Sequence, residues 1–245
     1  MNCIAVIPVY NHEHAIGGVV SALLAHGLPV LLVDDGSSPA CAAVLDQQAI
    51  RHGVTLARHA VNQGKGAAVV TGLKLAAQQG YSHALQIDAD GQHDTADVPR
   101  FLAAAQQYPL AVIAGCPVYD DTVPKGRLYG RYATHIWVWI NTLSLRITDS
   151  MCGYRIYPLA STLPVLEQMK LARRMDFDPE IAVRLDWQGL RTINLPTRVH
   201  YPQDGVSHFD YLRDNVRISA MHTRLFFGML IRLPRLLARH RAPRA

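Results

Sequence analysis

The sequence predicts an α/β fold: a mostly parallel sheet with helices on both faces. Three observations carry this. Short apolar runs alternate with helical stretches through the first half of the chain. The runs are continuously apolar rather than alternating, as strands buried on both faces are. Three of them end in polar turns, "PVYN", "VDDGS" and "DADGQH", and in open α/β sheets ligands bind beyond the C-terminal strand ends, so the three turns should share one rim.

In chain order, "CIAVIPV" (3–9) reads as a buried strand and 14–27 as a helix ending at Gly27. Residues 30–38 are a strand breaking into a turn. The next helix carries Pro39 near its start, where proline is tolerated. "VTLARH" is a short strand, 64–80 a helix closed by Gly80, "HALQID" a strand, "TADVPRFLAAAQQY" a helix and 110–115 a strand. Beyond these, 126–146 is helical and carries Trp137 and Trp139, and 152–158 is a strand. "DFDPEIAVRLDWQG" begins a helix, "LRTINLPTRV" is a strand and 200–208 has loop composition. The remainder is helical and basic, and no internal repeat or low-complexity segment is visible.

With 245 residues, 49% hydrophobic and 18% charged, the composition is globular rather than disordered or fibrous. Cys3, Cys41, Cys116 and Cys152 show no metal-ligand spacing and read as buried or free thiols of a reducing compartment. The first residues lack the basic region of a signal peptide, and no stretch of about 20 apolar residues could span a bilayer. The net charge of +5 is uneven: residues 213–245 hold eight arginines and one acid, Asp214, so that segment is +7 and the rest of the chain −2. The expected organisation is a domain over 1–212 and a basic amphipathic segment over 213–245 whose partner is an anionic surface. That segment groups Leu225, Phe226, Phe227, Met229, Leu230 and Ile231 between arginines. It resembles a helix lying in a membrane interface; a helix packed on the domain with a solvated tail is the alternative. No basic stripe interleaved with aromatics points to nucleic acid.

Three carboxylates within seven residues, Asp88, Asp90 and Asp94, call for a positive partner. Oxygen-only ligands suit Mg²⁺ or Mn²⁺, completed by water and substrate phosphates. A helix cap at Asp94 or Thr95 with solvated neighbours is the structural alternative. Asp34 and Asp35 end a second strand on the same rim and could accept hydrogen bonds from a base or ribose, or simply form the turn. "NQGKGAA" (62–68) sets Lys65 at a helix start, where an anion would be favoured. It is not a P-loop, since His59 and Gly66 stand at required Gly and Ser/Thr positions, and the G-x-G-x-x-G fingerprint is absent from the first strand-to-helix turn.

Together "IPVYN", "VDDGSS", "NQGKGAAVVTGL", "QIDADGQH", "TDSMCGYRIYP", "DFDPEI" and "YPQDGVSHF" resemble, in order, the motifs of the family 2 glycosyltransferases of the GT-A fold, in the version found in dolichol- and polyprenyl-phosphate sugar transferases. The resemblance covers roughly residues 4–212. It implies that Pro8, Tyr10, Val33 and Asp35 hold the nucleotide, with His12 where the family often has an acid. It places Lys65 near the nucleotide or its phosphates, makes Asp88-Ala89-Asp90 the D-x-D motif with Asp90 and Gln92 as metal ligands, and turns Arg131 and Arg127 toward phosphate. Arg198 and Ser207 belong to a loop region that closes over the donor. Three departures stand out: Pro117 occupies the place of a phosphate-binding arginine, His208 that of a lysine, and the transmembrane helices of some members have no counterpart. Any membrane contact is therefore expected to be peripheral, at the cytoplasmic face.

The implied activity is inverting transfer of a sugar from a UDP- or GDP-sugar to a polyprenyl or dolichyl phosphate or another lipid-linked acceptor. Negative charge building on the departing diphosphate is what a metal and arginines would stabilise. A lipid phosphate attacks without a base, whereas a hydroxyl acceptor would need one. Asp176, Asp178 and Glu180 are the candidates, with Glu180 matching the family's glutamate or serving only the start of its helix. A non-catalytic sugar-nucleotide-binding membrane adaptor is the reading outside the enzyme class.

Overall fold

The computed structural model describes residues 1–118, 125–168, 171–199 and 210–241, and the side chains of all of these but 125–129, 211, 240 and 241. The strands are β1 (Cys3–Val9), β2 (Val30–Asp34), β3 (Thr55–Arg58), β4 (His83–Gln86), β5 (Val112–Val118), β6 (Arg155–Pro158) and β7 (Thr192–Arg198). The α-helices are α1 (Ile16–Ala25), α2 (Pro39–His52), α3 (Lys65–Gln78), α4 (Val98–Gln107), α5 (Lys125–Thr142), α6 (Leu159–Gln168), α7 (Phe177–Trp187) and α8 (Tyr211–Arg241). The seven strands form one sheet in the order β3-β2-β1-β4-β6-β5-β7. All pairings are parallel except those of β6, which runs against β4 and β5.

The sheet separates two cores because successive side chains of a strand point to opposite faces. Ala5, Ile7 and Val9 of β1 pack with Val19 and Leu23 of α1, Leu45 of α2 and Phe101 of α4. Ile4 and Val6 pack with Val69 and Leu73 of α3, Leu166 of α6 and Ile181 of α7. The continuous apolar run of β1 is thus two interleaved faces. Gly72 lets α3 lie directly on β1, since a Cβ there would overlap Val6.

The predicted strands and helices of the first half fall where expected, with boundaries moved by a few residues. Residues 87–88, read as strand, already leave the sheet, since β4 ends at Gln86. Helix α6 was not foreseen. "LASTLPVLEQ" contains Pro164 and continues directly from the strand at Pro158, so neither a turn signal nor an uninterrupted pattern marks it.

The basic C-terminal segment forms a single 31-residue helix beginning at Tyr211, so the expected boundary at 212/213 falls inside its first turn. One face is packed on the domain: Ile218, Met221, Leu225 and Met229 join Val138 of α5 and Val183 and Trp187 of α7 in a third core. Gly228 permits this, since a Cβ there would lie 2.9 Å from the Trp187 ring. No helix among the described residues is long and apolar enough to cross a membrane.

His222 is buried in this seam, with its Nδ1 3.4 Å from Asn141 Nδ2. Burial lowers its pKa to about 4. The folded form therefore binds fewer protons than the unfolded form between pH 6.5 and 4. Stability held above the unfolded value is lost as pH falls through that window, by about 3 kcal/mol. Denaturant unfolding at pH 7, 5.5 and 4 is expected to show this slope, and His222→Gln to flatten it; an unchanged slope in the variant would assign the loss elsewhere.

Candidate active site

The turns after β1, β2 and β4 meet on one rim, as predicted. They are stapled together rather than merely adjacent. Asn11, at φ 54°, accepts from Ser38 N through Oδ1 at 2.7 Å, and its own N–H donates to Ser37 Oγ at 3.2 Å. Gly36, at φ 71°, allows the 61–62 backbone to pass so close that a Cβ would lie 2.5 Å from Asn62 N.

Asp34 and Asp35 are both buried and both engaged. Asp34 accepts from Ser37 N and from Arg58 Nε, at 2.9 and 2.7 Å. Asp35 accepts from Gln63 N at 2.9 Å and Gly64 N at 2.8 Å, and lies 2.7 Å from His59 Nδ1. The anion at the start of α3 is therefore the protein's own carboxylate, and the Arg173 carbonyl accepts from Ala67 N at 3.0 Å. This corrects the expectation that the helix start is an open anion site. The spacing of "NQGKGAA" reveals a helix start, but not that a carboxylate 29 residues away fills it.

Lys65 points elsewhere. Its Nζ lies 2.8 Å from Asp88 Oδ1 and 2.9 Å from Asp178 Oδ2. Burial opposes charge on Lys65, but Asp178 and Asp88 outweigh it and raise its pKa above the ordinary lysine value. Burial likewise opposes charge on Asp88, but Lys65 and His93 hold its pKa well below the usual carboxylate range. Asp178 also accepts from Gln86 Nε2 at 3.0 Å, and its carbonyl accepts from buried Arg155 Nη1 at 2.8 Å. Gly153 closes the other side, where a Cβ would sit 2.5 Å from either Asp88 oxygen. Asp88 thus has a fixed internal cation, which answers the repulsion among the acids of this turn.

Asp90 differs. Its Oδ1 accepts from Gln92 N at 3.0 Å, and it has no ion pair among the described residues. Both Asp90 and Gln92 are half-buried on the rim. Ala89, between the two acids, is buried. Arg198, exposed at the end of β7, sits beside this turn: its carbonyl accepts from Asp94 N at 3.4 Å, and His93 bridges to Val199. Arg198 also has no ion pair among the described residues. Pro117 lies in β5, pairing with Thr197 next to Arg198.

Arg131 is held by Asp149 in a two-toothed pair, Nε to Oδ2 at 2.6 Å and Nη2 to Oδ1 at 2.7 Å. Asp149 further accepts from Met151 N and Cys152 N, both at 2.8 Å, and His135 Nε2 lies 3.2 Å away. Burial opposes its charge, but His135 and Arg131 depress its pKa well below the ordinary range. Sequence reasoning quoted the "TDSMCGYR" stretch without assigning Asp149 a role. The available signal was a lone acid opening a motif that ends in a buried glycine and arginine.

Of the remaining expected site residues, Pro8 and Val33 are register partners in β1 and β2 and are buried, Val33 within the core beneath α3. They can offer a ligand only main-chain atoms. Tyr10 and His12 follow β1 on the rim and are half-buried. Glu180 is fully buried: Oε2 accepts from Ala172 N and Oε1 from Arg184 Nε, at 2.6 and 2.9 Å, with Arg224 of α8 at 3.6 Å. It braces α7 to its surroundings. Asp176, also buried, accepts from Arg174 N, and burial raises its pKa. Ser207, His208 and the Arg127 side chain lie outside the described residues.

The residues present fit a divalent ion of limited protein coordination. No group of three His, Cys, Asp or Glu side chains that could cage a metal exists among the described residues, but one rim carboxylate without an ion pair is what Mg²⁺ or Mn²⁺ requires when substrate phosphates supply further oxygens.

Sheet order, helix placement and this rim define a GT-A α/β domain. The chain belongs to the glycosyl transferase family 2, whose model matches residues 4–162. It is 26% identical over 215 residues to the UDP-N-acetylglucosamine–dolichyl-phosphate N-acetylglucosaminyltransferase of Methanococcus voltae, covering 81% of this chain and 85% of that one. It is 27% identical over 216 residues to the polyprenol monophosphomannose synthase of Mycolicibacterium smegmatis, covering 83% and 79%. Among solved structures it resembles glucosyl-3-phosphoglycerate synthase from Mycobacterium tuberculosis in complex with Mn²⁺ and UDP-glucose, with TM-score 0.63, 16% identity and 94% and 78% of the two chains covered.

Proposed function

We propose that this glycosyltransferase moves a sugar, with inversion, from a UDP- or GDP-sugar to a polyprenyl phosphate at a membrane surface. One observation carries the reading: Asp90 and Arg198, neither in an ion pair among the described residues, belong to adjoining segments of the strand-end rim, joined where Asp94 N donates to the Arg198 carbonyl. Among the described site residues, Asp35, Lys65, Asp88, Arg131 and Glu180 have partners within the protein. Such a pair suits a diphosphate with its counter-ion. The named relatives that act on dolichyl phosphate and polyprenol support the acceptor class.

Asp90, with Gln92, would hold Mg²⁺ or Mn²⁺, and that ion would supply charge stabilisation for the departing diphosphate. Arg198 adds a cation beside the same turn. It stands next to Pro117, so it can serve where the family's arginine is missing. Asp149 fixes the guanidinium of Arg131 before any ligand arrives, which lowers the reorganisation needed to meet phosphate charge. Lys65 keeps Asp88 ionised and in place. A phosphate acceptor is already anionic and attacks without a base. For a hydroxyl acceptor, Glu180 and Asp178 are already engaged, so Asp176 is the carboxylate to test first. The C-terminal helix would hold the enzyme on an anionic membrane, at the cytoplasmic face.

Calorimetry with UDP and GDP, each with Mn²⁺, Mg²⁺ or EDTA, tests the donor site, and transfer from the sugar nucleotide that binds to a polyprenyl phosphate tests the reaction. Metal-dependent binding of one nucleotide followed by transfer is expected. Binding without transfer or hydrolysis would favour the adaptor reading, and no binding by folded protein would sink the transferase reading.

A further inference from the structure

Behind Arg131 the polar contacts do not stop at Asp149. His135, one turn further along α5, turns its Nε2 to the same carboxylate, 3.2 Å from Oδ2. Its Nδ1 lies 3.1 Å from Ser150 Oγ. Ser150 is itself fixed, since its carbonyl accepts from Arg155 Nη2 at 2.5 Å. Asp149, His135 and Ser150 are buried, whereas the side chain of Arg131 is 18% exposed. A polar chain thus runs from the interior outward and ends on a guanidinium that a ligand can reach.

The partners decide where the hydrogens sit. An ionised carboxylate only accepts, so His135 Nε2 carries a hydrogen and donates it to Asp149. Nδ1 is left to the fully buried Ser150 hydroxyl, which fixes the way the ring faces. The two Asp149 oxygens have different duties. Oδ1 accepts from Met151 N and Cys152 N, which tie it to its own turn, and from Arg131 Nη2. Oδ2 accepts from Arg131 Nε and from His135. With Oδ1 pinned by the backbone, the direction of Oδ2 sets the plane of the guanidinium, and His135 fixes that direction. The order Ser–His–Asp is also that of a hydrolytic triad. Here Ser150 is fully buried and Asp149 is engaged by Arg131, so the hydroxyl is closed to a substrate.

We propose that His135 is a positioning residue: backed by Ser150, it aims the Asp149 carboxylate and so presents the Arg131 guanidinium in one orientation to a phosphate-bearing substrate. The inference rests on the proposed meeting of Arg131 with phosphate, and it adds a residue outside every motif of the sequence. A guanidinium held in its working orientation by a supporting shell needs little rearrangement when phosphate arrives.

The test is a double-mutant cycle on the transfer reaction: His135→Leu, Arg131→Lys and the two combined, with His135→Gln beside them and a thermal melt on each. Donor and polyprenyl phosphate are varied separately. Arg131→Lys shows which substrate depends on the guanidinium. His135→Leu, folded, is expected to lose about tenfold or more in kcat/KM for that same substrate, with the KM of the other unchanged. In the Arg131→Lys background the same substitution should cost little more, because the group it aims is gone. His135→Gln, whose amide can donate to Asp149 and accept from Ser150, should recover most of the activity. His135→Phe takes the place of His135→Leu if the latter does not fold, with the same outcomes.

Losses that simply add in the double variant, or that fall on both substrates alike, would assign His135 to stability alone and overturn the proposal. Wild-type kinetics in folded His135→Leu would do the same. If the wild type transfers sugar and Arg131→Lys matches it, the proposal falls and the transferase reading stands. A wild type that transfers nothing would sink both.

Discussion

Asp90→Ala is expected to abolish metal-dependent nucleotide binding, with transfer falling by on the order of a hundredfold or more, while the fold stays intact. The asymmetry of the acidic turn makes this specific. Asp88 is tied to Lys65 at 2.8 Å, whereas Asp90 makes one backbone contact, to Gln92 N. Removing it leaves no buried partner stranded, so the melting temperature should barely move. The check is calorimetry with Mn²⁺ beside a thermal melt. Nucleotide binding equal to wild type, metal-dependent as before, would remove Asp90 from the site.

Lys65→Met should do the opposite, damaging stability first. It would leave Asp88 and Asp178 facing each other without their cation in a shielded setting. Breaking a buried pair from one side costs roughly 3–5 kcal/mol, about 10 °C in melting temperature for a chain of this size. Asp178→Asn in the same background should recover part of the loss, because it removes one of the two charges and Gln86 can still donate to the amide oxygen. The pH dependence has a sign. Asp88 and Asp149 have depressed folded pKa values, so their stabilisation is present above the unfolded value near 4 and is lost as pH falls below it. Lys65, raised, contributes below its unfolded value and loses that contribution as pH rises through the folded one. In Lys65→Met, acidification from pH 7 toward 4 should relieve repulsion, reducing the deficit relative to wild type. A deficit that is constant with pH would show that packing, not charge, is what the lysine contributes.

Much of this architecture could be read from residues. Continuous apolar runs announced buried strands, and the polar turns that follow them are on one rim because parallel strands end together. The D-x-D turn was recognisable, but its two acids look equivalent on paper. What separates them is Lys65 and Gly153, from distant parts of the chain, which converge only in the folded sheet. Asp35 reads as a ligand group, and in the fold it also holds the turn before α3, through Gln63 N and Gly64 N, backbone atoms that no pattern displays. Glu180 was legible as an acid near a helix start, but Arg184 and the Ala172 N–H already occupy it. Helix α6 was hidden by Pro164. The amphipathic reading of the C-terminal segment held two alternatives, packing on the domain or facing lipid. One face of the helix is packed in the third core, and Phe227, Leu230 and Ile231 on the other are exposed.

The reversed direction of β6 has a consequence for how the protein tolerates insertions and deletions. Arg155 and Tyr157 point to the side of Asp178 and Gln86, whereas Tyr154 and Ile156 fill the opposite core. The register of β6 is fixed on both sides, by His83↔Pro158 through Gln86↔Arg155 and by Ile113↔Ile156. One residue gained or lost in 150–154, with the pairing shifted to match, would exchange these two sets and turn a guanidinium into the wrong core. Length in this short stretch should therefore be far less free than its position outside any helix or strand implies.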